Sequence, residues 1–349
     1  MDKRNIPINI LDENREIIET LHTYESLLWT KQYQDVGGCV LVITPTDELI
    51  HLLKYEAKYI GRFDDDMICE IKKVKLSMDN LTKQYTLTIT CLGAATLFNQ
   101  RIVWNQTNYT TQAEVFVRRL VLDSIITPSD SDRSIDFVKL GQLKNYPEMI
   151  TKQVTYDEVL PTIIDVCKTY DLGFRLVINE SNELVFEIYR GLDCTDSQEV
   201  NDHITFSKEF NNLQSFDWEI DFSTFKNVCL VGGEGEGTSR TTKTVGSAKG
   251  INRFETFADG KNLSSEEGTI TNYTDVLTES GNEKLATSSV QETFACKVDV
   301  ELYEYKTDYD LGYKVTVVGD YGLKIDAKII EVVECNDSGG YRITANLEI

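Results

Sequence analysis

The sequence predicts a mainly β protein carrying α+β insertions, and three observations lead there. Apolar and polar residues alternate strictly in runs near both ends of the chain, the period of half-buried strands. A middle stretch shifts to a period near 3.6, that of helices packed on a core. The 349 residues, 41% apolar and 26% charged, form an ordinary globular composition with room for two or three domains.

Taken in order, Ile8 to Leu11 and Val40 to Ile43 read as early strands. Val74, Leu76 and Met78 alternate with Lys73, Lys75 and Ser77, and Tyr85, Leu87, Ile89 and Cys91 alternate with threonines. With Asn80-Leu81-Thr82 between them, these runs predict an antiparallel hairpin. Cys69 and Ile71 have the opposite parity, which predicts a bulge near Lys72-Lys73. From Thr110 the pattern turns helical: Thr111 and Glu114 have capping-box spacing, apolar residues run from Val115 to Ile126, and Pro128 ends the segment. A second helix is expected from Thr155 and Glu158 to about Tyr170, with Pro161 imposing a kink or a later start. Phe174–Ile178 and Leu184–Ile188 flank a short polar loop containing Asn179-Glu180-Ser181-Asn182, a second hairpin. Residues from about 109 to 198 thus form a separate mixed unit.

Phe216, Trp218, Ile220 and Phe222 alternate with Asp217, Glu219 and Asp221, predicting a strand with one buried apolar face. The glycine-rich run from Val231 to Gly250 reads as a flexible loop or linker. A helix is expected between Asp275 and Val290, weakened by Gly281. Strands follow at Val298–Leu302, Lys314–Val317 and Lys324–Ala327, and alternation from Tyr341 runs to Ile349. A chain ending on its last strand is expected to carry no further enzymatic or targeting domain.

Lys and Arg total 35 against 57 Asp and Glu, a formal charge of −22. Such a chain repels a polyanion, because grip on nucleic acid comes from Lys and Arg releasing phosphate counterions, and no local basic patch opposes the average. Solubility is the plain reading of the charge. The N-terminus lacks a secretory pattern, and no run approaches the ~18 apolar residues that span a bilayer, so synthesis in the cytosol is expected. The eight cysteines are scattered without a Cys-x-x-Cys pair, which favours reduced, buried thiols over disulfides or zinc.

Chemical motifs are sparse. Gly232 to Ser239 lacks the Lys of a phosphate loop, and Glu234 and Glu236 oppose an anion. Asp64-Asp65-Asp66 lacks the spacing of a calcium loop and reads as a solvated turn. His22, His51 and His203 are far apart, and neither a Gly-x-Ser-x-Gly elbow nor a His-Glu-x-x-His helix is present. The expectation is a protein that is not an enzyme, with no cofactor, metal or catalytic residue.

Two stretches carry a resemblance. Cys91 to Val103 (CLGAATLFNQRIV) is similar to the point in phage tail proteins where a first β-domain ends in a glycine, a short apolar segment and an Arg-Ile pair. Asp308 to Val317, followed by Ala327 to Glu334, resembles their closing module, an Asp-Leu-Gly turn feeding a Val-Thr-Val strand and then an Ile-x-Glu-Val strand. It departs at Tyr313, where the family often has Asp. The family is that of the Gp37-like siphovirus tail proteins, related to baseplate hub and tail-associated proteins. The resemblance implies two tube-like antiparallel β-barrel domains side by side: residues 1–108, then 199–231 with 293–349. Between and within them lie an α/β insertion at 109–198 and a Gly-rich, helical lobe at 232–292.

It further implies a virion tail-tip component assembled in the host cytoplasm, a homotrimeric ring that continues the tail tube, adapts sixfold to threefold symmetry and passes DNA. The implied partners are further copies of itself, a distal tail or tail tube protein, the tape measure protein and tip or baseplate proteins, with only transient DNA contact. Asp217, Glu219 and Asp221 are candidates for lining the bore, although an outer solvated face explains the same alternation. The competing expectations are a tail-associated cell-wall hydrolase and a host-surface binding protein, the latter pointed to by Tyr303, Tyr305, Tyr309 and Tyr313.

Overall fold

A computed structural model describes residues 6–263, 273–298 and 303–349. The chain begins with strands β1 (Ile8–Leu11), β2 (Ile17–Leu21), β3 (Ser26–Gln32) and β4 (Gly38–Ile43), helix α1 (Asp47–Tyr55), and strands β5 (Tyr59–Arg62), β6 (Ile68–Met78) and β7 (Tyr85–Gly93). Thr46 caps α1 by accepting the Leu49 N–H at 3.1 Å, Asp47 and Glu48 sit at its positive end, and Leu49 and Leu53 are buried in this lobe's core. The expected bulge is present: the β6–β7 register shifts between Ile71 and Lys73.

A mixed unit follows, with β8 (Thr107–Gln112), α2 (Ala113–Val121), β9 (Val138–Leu140), β10 (Met149–Val154), α3 (Val159–Thr169), β11 (Gly173–Ile178) and β12 (Leu184–Tyr189). The capping box expected at Thr111 does not form. Thr111 pairs with Ile150 in a strand, and Glu114 lies fully buried, accepting the backbone N–H groups of Lys144 and Tyr146. A carboxylate that ties down a neighbouring loop has no free oxygen for its own helix. α3 takes the later start that Pro161 allows, in its first turn, where the missing N–H costs nothing.

The last part contains β13 (Thr205–Ser207), β14 (Leu213–Asp221), β15 (Val228–Gly232), β16 (Thr242–Val245), β17 (Glu255–Asp259), α4 (Tyr273–Ala286), β18 (Gln291–Val298), β19 (Lys314–Val318), β20 (Lys324–Asp337) and β21 (Gly340–Glu348). The glycine-rich run is therefore not a linker. β15, β16 and β17 form a small sheet on which α4 packs, and the Tyr273 hydroxyl accepts the Glu234 N–H at 2.9 Å. Gly281 sits in α4 because a Cβ there would lie 2.4 Å from the Val245 side chain. Most of the strand expected at Val298–Leu302 falls outside the described residues.

The two ends of the chain share one thirteen-stranded sheet in the order β14-β18-β21-β20-β3-β4-β7-β6-β5-β1-β2, with β19 and β13 branching from β20. Among the described residues no ladder closes either half on itself, so one open sheet with two lobes stands where two barrels are expected. Tyr33, fully buried, fastens the lobes: its ring fills the space that a Cβ would occupy at Gly173 and at Gly312, whose φ is +83°. Among the described residues seven cysteines are free thiols, six of them buried.

Candidate functional site

The feature that organises this molecule is a run of eight consecutive strands, β14-β18-β21-β20-β3-β4-β7-β6. All seven of its internal ladders are antiparallel. Cross-strand partners share a face, so the registers divide the run into two surfaces. One surface is core: Leu41, Ile89, Ile343 and Leu347 are buried. The other is polar and part-exposed, with Thr88 and Thr90 on β7, Thr30 on β3, Glu331 on β20, and Thr344 and Asn346 on β21.

Asp217, Glu219 and Asp221 stand on this polar surface. They pair in register with Ala295, Thr293 and Gln291 of β18, and Asp217 and Glu219 are exposed. Hydrogen bonds from Ser223 hold the Asp221 carboxyl below the usual range. Their strand corrects one expectation. Its apolar face is only partly buried: Phe216 packs against the second lobe's core, but Trp218 is 42% and Phe222, just past the strand's end, 65% exposed, although the Trp218 indole N–H donates to Glu292 at 2.8 Å. Alternation records that a strand has an apolar face, not that the same chain covers it.

Halfway along the run, β20 joins β3 from Glu331–Gln32 to Asn336–Leu27. On the core side of this joint lies a cluster of charges. Asp65, far from being solvated, has a fully buried side chain that contacts Lys31 at 2.5 Å and Lys306 at 3.1 Å. Arg62 binds Glu334 at 3.0 Å and Asp64 at 2.7 Å, and the Tyr341 hydroxyl donates to Glu334 at 2.6 Å. Burial alone would raise the Asp65 pKa, but the Lys31 and Lys306 charges outweigh it and hold that carboxyl well below the usual range. On the polar side, the Gln32 amide donates to Glu331 at 2.6 Å. Six charged side chains from distant parts of the chain thus lock one lobe to the other.

Sequence reasoning singled out the acidic strand and missed its counterpart at the far end of the run. Lys73 and Lys75 of β6 pair with Thr90 and Thr88, so they share the polar surface of Asp217, Glu219 and Asp221. The signal was Lys-x-Lys alternating with Val-x-Leu-x-Met, which reads as a plain hairpin strand until its outer edge is seen to lack a partner among the described residues. Tyr305 and Tyr309 belong to the second lobe's core and offer no aromatic surface. Among the described residues no cluster of three or more His, Cys, Asp or Glu is arranged to hold a metal, and no helix is long and apolar enough to cross a membrane.

Known proteins share this architecture. The tail protein from Neisseria meningitidis MC58 superimposes with a TM-score of 0.59 at 10% identity, covering 99% of this chain and 97% of that one. The 43 kDa tail protein of prophage MuSo2 from Shewanella oneidensis gives 0.55 at 12%, with 98% of each chain covered. Prophage tail protein gp18 from Listeria monocytogenes EGD-e gives 0.52 at 13%, covering 98% and 94%. No curated protein matches the sequence. Residues 7–348 match the family described as Siphovirus ReqiPepy6 Gp37-like protein, and with nearly its whole length inside that match the chain belongs to this family of phage tail proteins.

Proposed function

We propose that the protein is a structural hub at the tip of a phage tail, three copies of which form a ring that continues the tail tube and lets DNA pass. The observation that carries this reading is the eight-stranded run, core on one face and mainly polar on the other, with a strand edge at each end that has no partner among the described residues. A sheet whose two edges are both free joins into a closed ring when copies meet head to tail. The polar face then becomes the wall of the bore, and two lobes per copy give six around a threefold axis, the adaptation between tube and tip. Asp217, Glu219 and Asp221 line that bore, where they offset the lysines of the same face, and a wall without net positive charge lets a polyanion slide rather than adhere.

The role is one of shape rather than of chemistry. The partners are further copies of this chain, a distal tail or tube protein above, and tape measure and tip or baseplate proteins in contact with the ring, in a virion assembled in the host cytoplasm. Light scattering coupled to size exclusion, with negative-stain imaging, tests the reading. Rings of three copies with a central opening are expected. A chain that stays monomeric at high concentration and hydrolyses cell-wall material, or binds the host surface on its own, would overturn it.

A further inference from the structure

The run's two free edges are unlike the rest of the surface, and the filled joint inside the molecule shows what they take. β20 pairs with β19 from Lys324 to Lys328, passes a bulge between Ile329 and Glu331, and then pairs with β3. β6 pairs with β5 from Ile68 to Glu70, passes a bulge between Ile71 and Lys73, and then has no partner on that side among the described residues. The two strands are the same device, one satisfied and one vacant. A bulge bends the strand away from its first neighbour and presents its edge to another.

The correspondence extends strand by strand. Matching the bulges sets Lys73 against Glu331 and Thr90 against Asn346. Through the ladders it then sets Val40 against Ala295, Leu28 against Asp217, and Trp29 against Trp218. β14 is therefore the counterpart of β3, and like β6 it has an outer edge without a strand partner among the described residues. Resting on the ring reading above, we propose that β6 of one copy pairs antiparallel with β14 of the next in the register of the β20–β3 joint.

Transferring that register pairs Lys73 with Asp221 of the next copy, Lys75 with its Glu219, and Ser77 with its Asp217. On the core side it pairs Val74, Leu76 and Met78 with Ile220, Trp218 and Phe216 of the next copy. Two lysines meet two carboxylates on one face, and three exposed apolar residues of β6 meet three apolar residues on the other. In the filled joint the Tyr33 N–H donates to the Ile330 carbonyl at 2.8 Å, which makes Gln32–Glu331 a non-hydrogen-bonded pair, where facing side chains come closest. The Lys–carboxylate pairs inherit that geometry. Direction agrees too: an even number of strands in strict alternation leaves β6 and β14 pointing oppositely, so a rotational ring makes the new joint antiparallel like the other seven. The interface is heterologous, as closure of a ring requires.

Charge exchange tests the pairing in the full chain. Lys73→Glu with Lys75→Glu, and separately Glu219→Lys with Asp221→Lys, are each expected to weaken ring assembly at least tenfold, with circular dichroism and melting unchanged. The fourfold exchange is expected to restore it. A chain carrying both Ser77→Cys and Asp217→Cys should form disulfide-linked oligomers on mild oxidation, whereas either single variant should not. If wild type forms rings while the charge variants assemble normally and the cysteine pair stays unlinked, the pairing is wrong and the ring reading stands. If wild type forms no ring and the pair stays unlinked, both fall, and linked chains without visible rings support the pairing alone.

Discussion

The two joints of this sheet, β3 with β20 inside the chain and the proposed one of β6 with β14 between copies, are built on one plan but finished differently. At the inner joint Trp29 is fully buried, Arg62 lies over its ring, and six charges interlock behind it. At the outer joint the corresponding tryptophan, Trp218, is 42% exposed and the charges are surface lysines and carboxylates. A joint made once, during folding, can use buried charge and a filled core. A joint that must wait for another copy has to leave each side soluble beforehand, and surface lysines on a strand edge do that by discouraging indiscriminate pairing.

The largest effect that separates the two joints is expected from their tryptophans. Trp29→Ala removes a fully buried ring and should cost about 3–5 kcal/mol of folding stability. Trp218→Ala should change the stability of the isolated chain by less than about 1 kcal/mol while weakening ring assembly. Urea denaturation of the dilute chain and light scattering at high concentration read the two quantities separately. Equal losses of stability would mean that the tryptophans are not counterparts.

Next comes the charge lock. Asp65→Ala leaves Lys31, 12% exposed, without its carboxylate. Removing one partner of a buried pair typically costs about 3–5 kcal/mol, and the partial exposure of Lys306 places the expected loss at the lower end of that range. The same group sets a pH dependence. Its folded pKa lies below the unfolded value, so its stabilisation is complete above the ordinary carboxylate pKa of about 4 and is lost as the pH falls toward the folded value. Denaturation midpoints measured from neutral pH down through that window should fall in wild type and fall less in Asp65→Asn. The outer joint has no such buried carboxylate.

How much of this was legible beforehand depended on range. Local patterns were read well: opposite parity at Ile71 and Val74 marked the bulge, and the β11–β12 hairpin pairs Phe174–Ile188 through Ile178–Leu184 as alternation and loop length implied. Nothing local says that Gln32 will meet Glu331, some three hundred residues away, so the sheet's continuity stayed hidden. Asp65 looked like a turn residue because its two lysine partners lie in distant strands and loops. The glycines of 232–250 suggested freedom, whereas several serve close packing or turns within an ordered small sheet. The acidic residues of β14 were correctly seen to share one face, while the lysines that face them in the proposed ring belong to another copy. A single sequence carries both halves of that contact without showing that they meet.

The smallest expected effect sharpens the comparison most. In the proposed joint Lys73–Asp221 and Lys75–Glu219 would sit on the polar face, in contact with solvent, where each cross-strand pair contributes roughly 0.2–1 kcal/mol. Screening reaches such pairs, since the Debye length shortens from about 10 Å at 0.1 M salt to about 3 Å at 1 M. Ring assembly should therefore weaken severalfold over that range, and the fourfold charge exchange should weaken in parallel. The inner joint should respond far less, because Asp65 and Arg62 are shielded by the protein itself. Apolar contact among Leu76, Met78, Trp218 and Phe216 pulls the other way, since excluded salts such as sulfate strengthen it. Comparing sodium chloride with sodium sulfate at equal ionic strength separates the two faces of the outer joint. A ring weakened equally by both salts is held by its charged face, and one that sulfate strengthens is held by its tryptophan.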